Sequence, residues 1–287
     1  METYDALKLA AESLTPDEWV ELVGRALSEP TTLSGIPLPA GPSPEFQSAY
    51  VGSSGAATMR EAGLFYRYVL DANRRFRDAE ITRLLDFGCG WGRYTRLFLR
   101  EVPEHGLYGA DPEPVAIQVC RRHVPYGCFV NSPSRPPLPF RDQFFDLVVA
   151  YSVFSHLSEI NAANWIYELS RVLRPGGILV ATTHPIWLLD MVEGLQSGRS
   201  PVESGWHGVL VRSWPSVEAA RARYERGEFV FAESGEYPGM DGYGDVLVPR
   251  QYIWDVWGRI MEPLDFVSDP TRVSQAAFVL RRRPATS

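Results

Sequence analysis

The chain has 287 residues, 45% of them hydrophobic, and a formal net charge of −7. That length suits one large α/β domain with an appendage, and the negative charge argues against a general binder of phosphate backbones. No apolar run approaches the roughly 20 residues that span a bilayer, and residues 1–10 lack the basic start and apolar core of a secretory leader. The three cysteines, Cys89, Cys120 and Cys128, have neither zinc-ligand spacing nor the even count of a disulfide framework. These features set the expectations of a cytoplasmic location, no metal site, and no membrane or nucleic-acid partner. The run Arg281-Arg282-Arg283 reads as a solvated strand end.

Thr15-Pro16-Asp17-Glu18 predicts a helix start, with Thr15 as N-cap, Pro16 first in the helix and Glu18 closing a capping box. Trp19, Val20, Val23 and Leu27 then recur at helical spacing. The proline-rich stretch 30–44 reads as a linker or extended strap. A helical pattern resumes over 56–77 through Met59, Phe65, Val69 and Phe76. From Ile81 short apolar runs alternate with helical stretches. Residues 81–87, 107–110, 127–130, 145–151 and 178–182 read as strands, and 93–100, 114–122 and 159–172 as the helices between them. Ala162, Ile166, Leu169 and Leu173 mark one buried face of the last. Such alternation implies βαβ units and a parallel sheet covered on both sides. Right-handed crossovers place the strand C-terminal ends along one edge, where ligands bind. Residues 186–248 interrupt the alternation, with strands predicted at 208–212 and 228–231 and a helix at 217–226. A helix at 249–260 and strands near 264–267 and 276–281 follow. The insertion leaves a strand C-terminus, so it is placed to fold over the ligand edge as a lid.

Leu84-Leu85-Asp86-Phe87-Gly88-Cys89-Gly90-Trp91-Gly92-Arg93 reads as strand, glycine-rich turn and helix start. The glycines permit a sharp turn and close approach of backbone to ligand, and a helix start offers free N–H groups to a carboxylate or phosphate. A nicotinamide-binding turn shows G-x-G-x-x-G, whereas here Arg93 stands where the third glycine would be. Asp111 ends the second strand, where an acidic side chain accepts hydrogen bonds from ribose hydroxyls; its bland alternative is an N-cap on the next helix. The Pro175-Gly176-Gly177 turn has a structural reading alone: helix stop, glycine C-cap and strand entry.

Four ordered segments resemble the class I S-adenosylmethionine-dependent methyltransferases, of the type that acts on small molecules. Residues 84–93 are similar to their first motif and Asp111 falls where their ribose-binding acid falls. Leu138-Pro139-Phe140 with Phe145-Asp146, and Arg171-Val172-Leu173-Arg174-Pro175-Gly176-Gly177, are similar to the segments before their fourth and fifth strands. The resemblance covers 81–183 closely and 249–283 loosely. It implies S-adenosylmethionine as cofactor and S-adenosylhomocysteine as product. It also implies roles. Asp86 organises the turn and meets the methionine amino group, directly or through water. Gly88, Cys89, Gly90 and Gly92 form the turn, with the three glycines beneath methionine and ribose. Asp111 takes the ribose, and Pro112 packs near adenine. Asn131 and Ser132 meet the adenine edge, Asn131 through its amide oxygen. Tyr151 and Ser152 flank the sulfonium.

In-line methyl transfer needs alignment and exclusion of water, and a base is optional. His156 and His184, just past the fourth and fifth strands, are the candidate catalytic bases. His207, Tyr237, Tyr243 and Asp245 are weaker candidates for acceptor contacts. Trp187, Trp206, Trp214, Trp254 and Trp257 form either an acceptor wall or a core beneath the lid. The expected fold is a doubly wound α/β domain with seven mostly parallel strands, an N-terminal helical cap and a lid insertion after strand 5. Its parts are a cap and linker over 1–78, a cofactor-binding core over 79–185, an insertion over 186–248 and a return to the core over 249–287. The expected activity is methylation of a natural product or sugar, at oxygen, with nitrogen or carbon as alternatives, by a monomer or homodimer. A nicotinamide-dependent oxidoreductase and a non-catalytic cofactor-binding partner protein are the rival readings.

Overall fold

The structure is a computed structural model and describes residues 2–234 and 242–284. It opens with helices α1 (Glu2–Glu12) and α2 (Pro16–Ala26), a two-residue hairpin of β1 (Thr32–Leu33) and β2 (Ile36–Pro37), and helices α3 (Pro44–Val51) and α4 (Gly55–Phe76). The central part runs β3 (Leu84–Phe87), β4 (Leu107–Asp111), α5 (Pro114–His123), β5 (Cys128–Asn131), β6 (Phe145–Ala150), α6 (Glu159–Val172) and β7 (Leu173–Thr183). Then come α7 (Leu188–Gln196), α8 (Gly205–Ser213), α9 (Val217–Glu225), β8 (Val230–Glu233) and β9 (Gly244–Leu247). The last elements are α10 (Arg250–Asp255), β10 (Glu262–Val267) and β11 (Ala276–Arg281).

Seven strands form one sheet in the order β10-β11-β7-β6-β3-β4-β5. The five from β7 to β5 are parallel, and β11 is antiparallel to both β7 and β10. Side chains alternate faces along a strand, so each central strand feeds two cores. Leu147, Val149, Ile178 and Val180 join one core with Leu7, Trp19, Phe65 and Val69 of the N-terminal helices. Val148, Ala150, Leu179 and Ala181 join the other with Trp165, Ile166 and Leu169 of α6 and Ile253 of α10. A third cluster, including Leu189, Leu210, Trp214 and Val230, belongs to the chain between β7 and α10. Among the described residues no helix is long and apolar enough to cross a membrane.

The capping box forms as expected: the Thr15 hydroxyl accepts from the Glu18 N–H, and the Glu18 carboxylate accepts from the Thr15 N–H at 2.7 Å. Three expectations fail. Residues 93–100 hold turns and a 3-10 segment (Leu97–Arg100) instead of an α-helix, with Leu97 bonding three residues back to Tyr94. Residues 208–212, expected as a strand, lie in α8, which Ser204 caps by accepting from the His207 N–H. α6 ends on Leu173, where β7 already starts, so Gly176 is not a helix C-cap; at φ +79° it turns the first part of β7, and its N–H donates to the Arg282 carbonyl at 2.9 Å. Helices α1, α3 and α7 were not expected.

Trp19 couples the N-terminal helices to the rest. It is fully buried, and its indole N–H donates to the Leu97 carbonyl at 2.8 Å. Trp19→Ala is expected to lower the unfolding free energy by about 3–5 kcal/mol, read from chemical denaturation. A loss below about 1 kcal/mol would show that this helix adds little to the shared core.

Candidate functional site

The strands β3, β4 and β6 end at a cavity of about 890 Å³. β3 runs straight into Gly88-Cys89-Gly90, which forms part of its wall. Gly88 and Gly90 have φ +74° and +50°, in the left-handed region that glycine adopts without strain. A Cβ on Gly88 would stand 2.4 Å from Val153 Cγ2, so the turn is pressed against the segment after β6. Gly92 has φ +81° but faces elsewhere: a Cβ there would meet Cys120 Sγ and Val124 Cγ2, each at 3.3 Å. Its expected place beneath a ligand is corrected, because it gives α5 room to pack. Burial pushes the Cys89 thiol up, which suits a small turn residue and not a thiolate.

Asp111 holds this turn to the end of β4. One carboxylate oxygen accepts from the Gly90 N–H and the other from the Glu113 N–H, each at 2.9 Å. The N-cap of α5 is Glu113, so the capping alternative for Asp111 fails. A carboxylate has about four acceptor sites, and these bonds use two, leaving capacity toward the cavity that Asp111 lines with Pro112. Ser132 also lines it. Its N–H donates to the Asp111 carbonyl at 3.0 Å, while its hydroxyl is buried with no hydrogen-bond partner among the described residues. A buried unpaired polar group costs about 1–3 kcal/mol unless a ligand satisfies it. Asn131 is not part of the wall. Its side-chain nitrogen donates to the carbonyls of Asp111 and Pro112, each at 3.0 Å, and alternation along extended chain turns Ser132 inward in its place.

Asp86 also stays out of the cavity wall. Its carboxyl is buried behind the turn and accepts from the Thr95 hydroxyl. Organising the turn is therefore the part of its expected role that the geometry supports; direct contact with a ligand is not. Burial raises its pKa to about 7, against the lowering effect of Thr95.

Beyond the turn, Tyr151, Ser152, His156 and His184 line the far end. The Tyr151 hydroxyl lies 2.9 Å from Ser274 Oγ and donates to Glu61 at 3.2 Å. Ser152 has φ +60°, an uncommon conformation for serine. It is held by a bond from its N–H to Thr182 Oγ1 at 2.8 Å and by Gln275 Nε2, which donates to its hydroxyl at 3.0 Å. His156 Nδ1 lies 2.9 Å from the Gly244 carbonyl, so it carries the proton. Nε2 is then an acceptor, 3.5 Å from Ser152 Oγ. Burial, then His184, pushes His156 down to about 4 despite Asp245, so the ring is neutral at physiological pH. His184 Nε2 lies 3.1 Å from Asp245 Oδ1. The two imidazoles meet edge to face at 5.2 Å, and Tyr243 stacks on His156 at 4.9 Å.

The other aromatic candidates divide. Trp187 and Trp206 line the cavity and are 40% and 42% exposed, while Trp214 and Trp257 are core residues and Trp254 packs under Arg250. His207 accepts from the Glu203 N–H and is not in the wall. Tyr237 lies outside the described residues. Glu61 of α4 and Arg93 line the cavity and were missed as site residues. Arg93 is buried and donates to Thr58, Glu61 and Tyr94. Burial works against its charge, but Tyr94, Tyr151 and Glu61 keep it protonated. The sequence signal for Arg93 was its place beside the glycine turn; Glu61 had none.

Residues 84–177 match the family described as Methyltransferase domain. A mouse protein described as probable tRNA methyltransferase 9B is 35% identical over 106 residues, 37% of this chain and 22% of that one. The malonyl-[acyl-carrier protein] O-methyltransferase of Methylococcus capsulatus is 32% identical over 143 residues, 48% of this chain and 49% of that one. The sugar N-methyltransferase KedS8 from Streptoalloteichus sp. superposes with a TM-score of 0.50 at 16% identity, over 89% of this chain and 98% of that one. The chain spans between about a fifth and a half of the length of these curated relatives. Residues 84–177 therefore carry a methyltransferase domain, on a sheet of the class I methyltransferase fold. The cofactor of that domain is S-adenosylmethionine, which sets aside the nicotinamide alternative. The open acceptor capacity of Asp111 and the orphaned hydroxyl of Ser132 fit its ribose and adenine.

Asp86 gives the cofactor-free protein a pH signature. A carboxyl whose folded pKa is raised contributes stability that is complete below its unfolded value near 4 and is lost as pH rises through about 7. Unfolding free energy is expected to fall by about 2–4 kcal/mol across that window, and Asp86→Asn should flatten the fall. An equal slope in the variant would assign the effect to other groups.

Proposed function

We propose that the protein transfers a methyl group from S-adenosylmethionine to a small molecule, at oxygen, with nitrogen or carbon as alternatives. The observation that carries this reading is one cavity lined both by the glycine turn with Asp111 and Ser132 and by His156, His184, Trp187 and Trp206. When bound, S-adenosylmethionine supplies an electrophilic methyl that is displaced in line. Asp111 accepts the ribose hydroxyls, Ser132 donates or accepts at the adenine edge, and Gly88 and Gly90 let the backbone approach. The Tyr151 ring, fixed through Glu61 and Ser274, and Ser152 flank the sulfonium; an aromatic face favours a cation. His156 and His184 face the nucleophilic atom of the acceptor, and its deprotonation depends on them.

Several observations support a small acceptor of sugar or natural-product type. The partly exposed indoles of Trp187 and Trp206 offer apolar faces to a ring. The net charge of −7 disfavours nucleic acid, although relatives include tRNA methyltransferases. The free thiols of Cys89, Cys120 and Cys128 suit a cytoplasmic location. We take the protein to work as a monomer or homodimer.

S-adenosylhomocysteine at about 100 times its dissociation constant should add about 2.7 kcal/mol of stability, seen as a raised melting temperature that NADH does not produce. Asp111→Ala is expected to abolish the shift; a full shift in that variant would count against the ribose assignment. His156→Ala and His184→Ala should keep the shift and lose turnover by roughly 100-fold or more. Full turnover in both would leave alignment as the whole mechanism, and a shift with no turnover on any acceptor would establish the non-catalytic reading.

A further inference from the structure

The acceptor end of the cavity holds a cluster that methyl transfer does not by itself require. His156 follows β6, His184 follows β7, and Asp245 lies in β9, yet one ligand atom from each falls within 4.8 Å of the others. Asp245 Oδ1 stands 3.1 Å from His184 Nε2 and 3.8 Å from His156 Nδ1. Nitrogen and oxygen ligands about 2.1 Å from a metal, at 90–120° to each other, stand roughly 3.0–3.6 Å apart. The first separation fits. The second exceeds the range by about 0.2 Å, and the two histidine nitrogens lie within 4.8 Å of each other, so the side chains close slightly to share one cation. His184 and Asp245 are 6% and 2% exposed, and a carboxylate buried this deeply is stabilised by a positive charge.

We propose that His156, His184 and Asp245 bind one divalent transition-metal cation, with open coordination positions turned into the cavity. Two imidazoles and one carboxylate select zinc and its first-row neighbours over magnesium and calcium. Both histidines form cavity wall, so the open positions meet the acceptor. The cation takes the place of the Gly244 carbonyl, 2.9 Å from His156 Nδ1, and the ring proton moves from Nδ1 to Nε2, which lies 3.5 Å from Ser152 Oγ. Only the use of the cation rests on the methyl-transfer reading. A hydroxyl bound to it is acidified, as zinc-bound water is to a pKa of about 7. The proton passes to water and the oxygen electron pair forms the bond to the methyl carbon, while the pair of the broken C–S bond stays on sulfur. The two histidines then act as ligands and not as bases. The acceptor class is a hydroxyl-bearing small molecule that reaches the cation past Trp187 and Trp206.

The test uses the whole chain, stripped with a chelator and titrated with Co²⁺ alone. Uptake is followed by calorimetry and by visible ligand-field absorption, and melting with S-adenosylhomocysteine is measured on the same samples. One equivalent of Co²⁺ per chain is expected, with visible bands. His184→Ala and the near-isosteric Asp245→Asn should lose the bands and weaken uptake by more than about 100-fold, while each keeps its homocysteine-ligand shift as proof of folding. If His184→Ala does not fold, Asp245→Asn decides. No saturable uptake, or equal uptake in both variants, overturns the site. Uptake of one equivalent with no shift in any sample would support the metal site and sink the methyl-transfer reading.

Discussion

The order of the sheet reverses between β3 and β6, and the site depends on that reversal. From β3 the chain steps outward to β4 and β5, then returns to pair β6 on the other side of β3. The loops leaving β3 and β6 therefore diverge and leave a crevice at their C-terminal ends. The glycine turn lines one side of it, and Tyr151, Ser152 and His156 the other. The Asp111 clamp on Gly90 fixes the first side, and the bonds that hold Ser152 in its positive-φ conformation fix the second. Neither set of contacts would face a ligand if the strands followed one another in sequence order.

The cofactor end was legible because its residues are close in sequence. Strand, turn and acid lie within one βα step, and the glycine spacing, the acid before the turn and Asp111 each carried their own signal. Errors there were errors of direction. Gly92 and Asn131 are in the right segments but point toward α5 or along the strand backbone, while Asp86 lies behind the turn it was expected to organise. Sequence spacing places a residue at an edge without settling which way its side chain turns. Ser132 shows the same rule in reverse, since alternation puts it where its neighbour was expected.

The acceptor end was legible only in fragments. His156 and His184 were found from their positions past strand ends, but their grouping with Asp245 joins residues 61 positions apart in the His184 contact and 89 apart (245 − 156) in the His156 contact. Glu61 meets Tyr151 across 90 positions. Such contacts depend on tertiary packing, which a single sequence does not encode locally. Residues 208–212 misled for a related reason. Val209 and Val211 have strand-forming side chains, but Ser204 caps a helix here and Leu210 buries in the small core of Leu189 and Trp214. Tertiary context overrides propensity in such short runs.

The contacts of His184 tie the edge of the sheet to the chain that follows it. Its N–H donates to the Val246 carbonyl, its ring meets Asp245, and Thr183 Oγ1 donates to that same carbonyl. The β8–β9 ribbon is thereby sewn onto the end of β7, so the wall facing the acceptor inherits the rigidity of the sheet. Under the proposed reading, the acceptor's shape is set largely by residues between β7 and α10 and the cofactor is held by the glycine turn and Asp111, so the two stretches can change independently of each other.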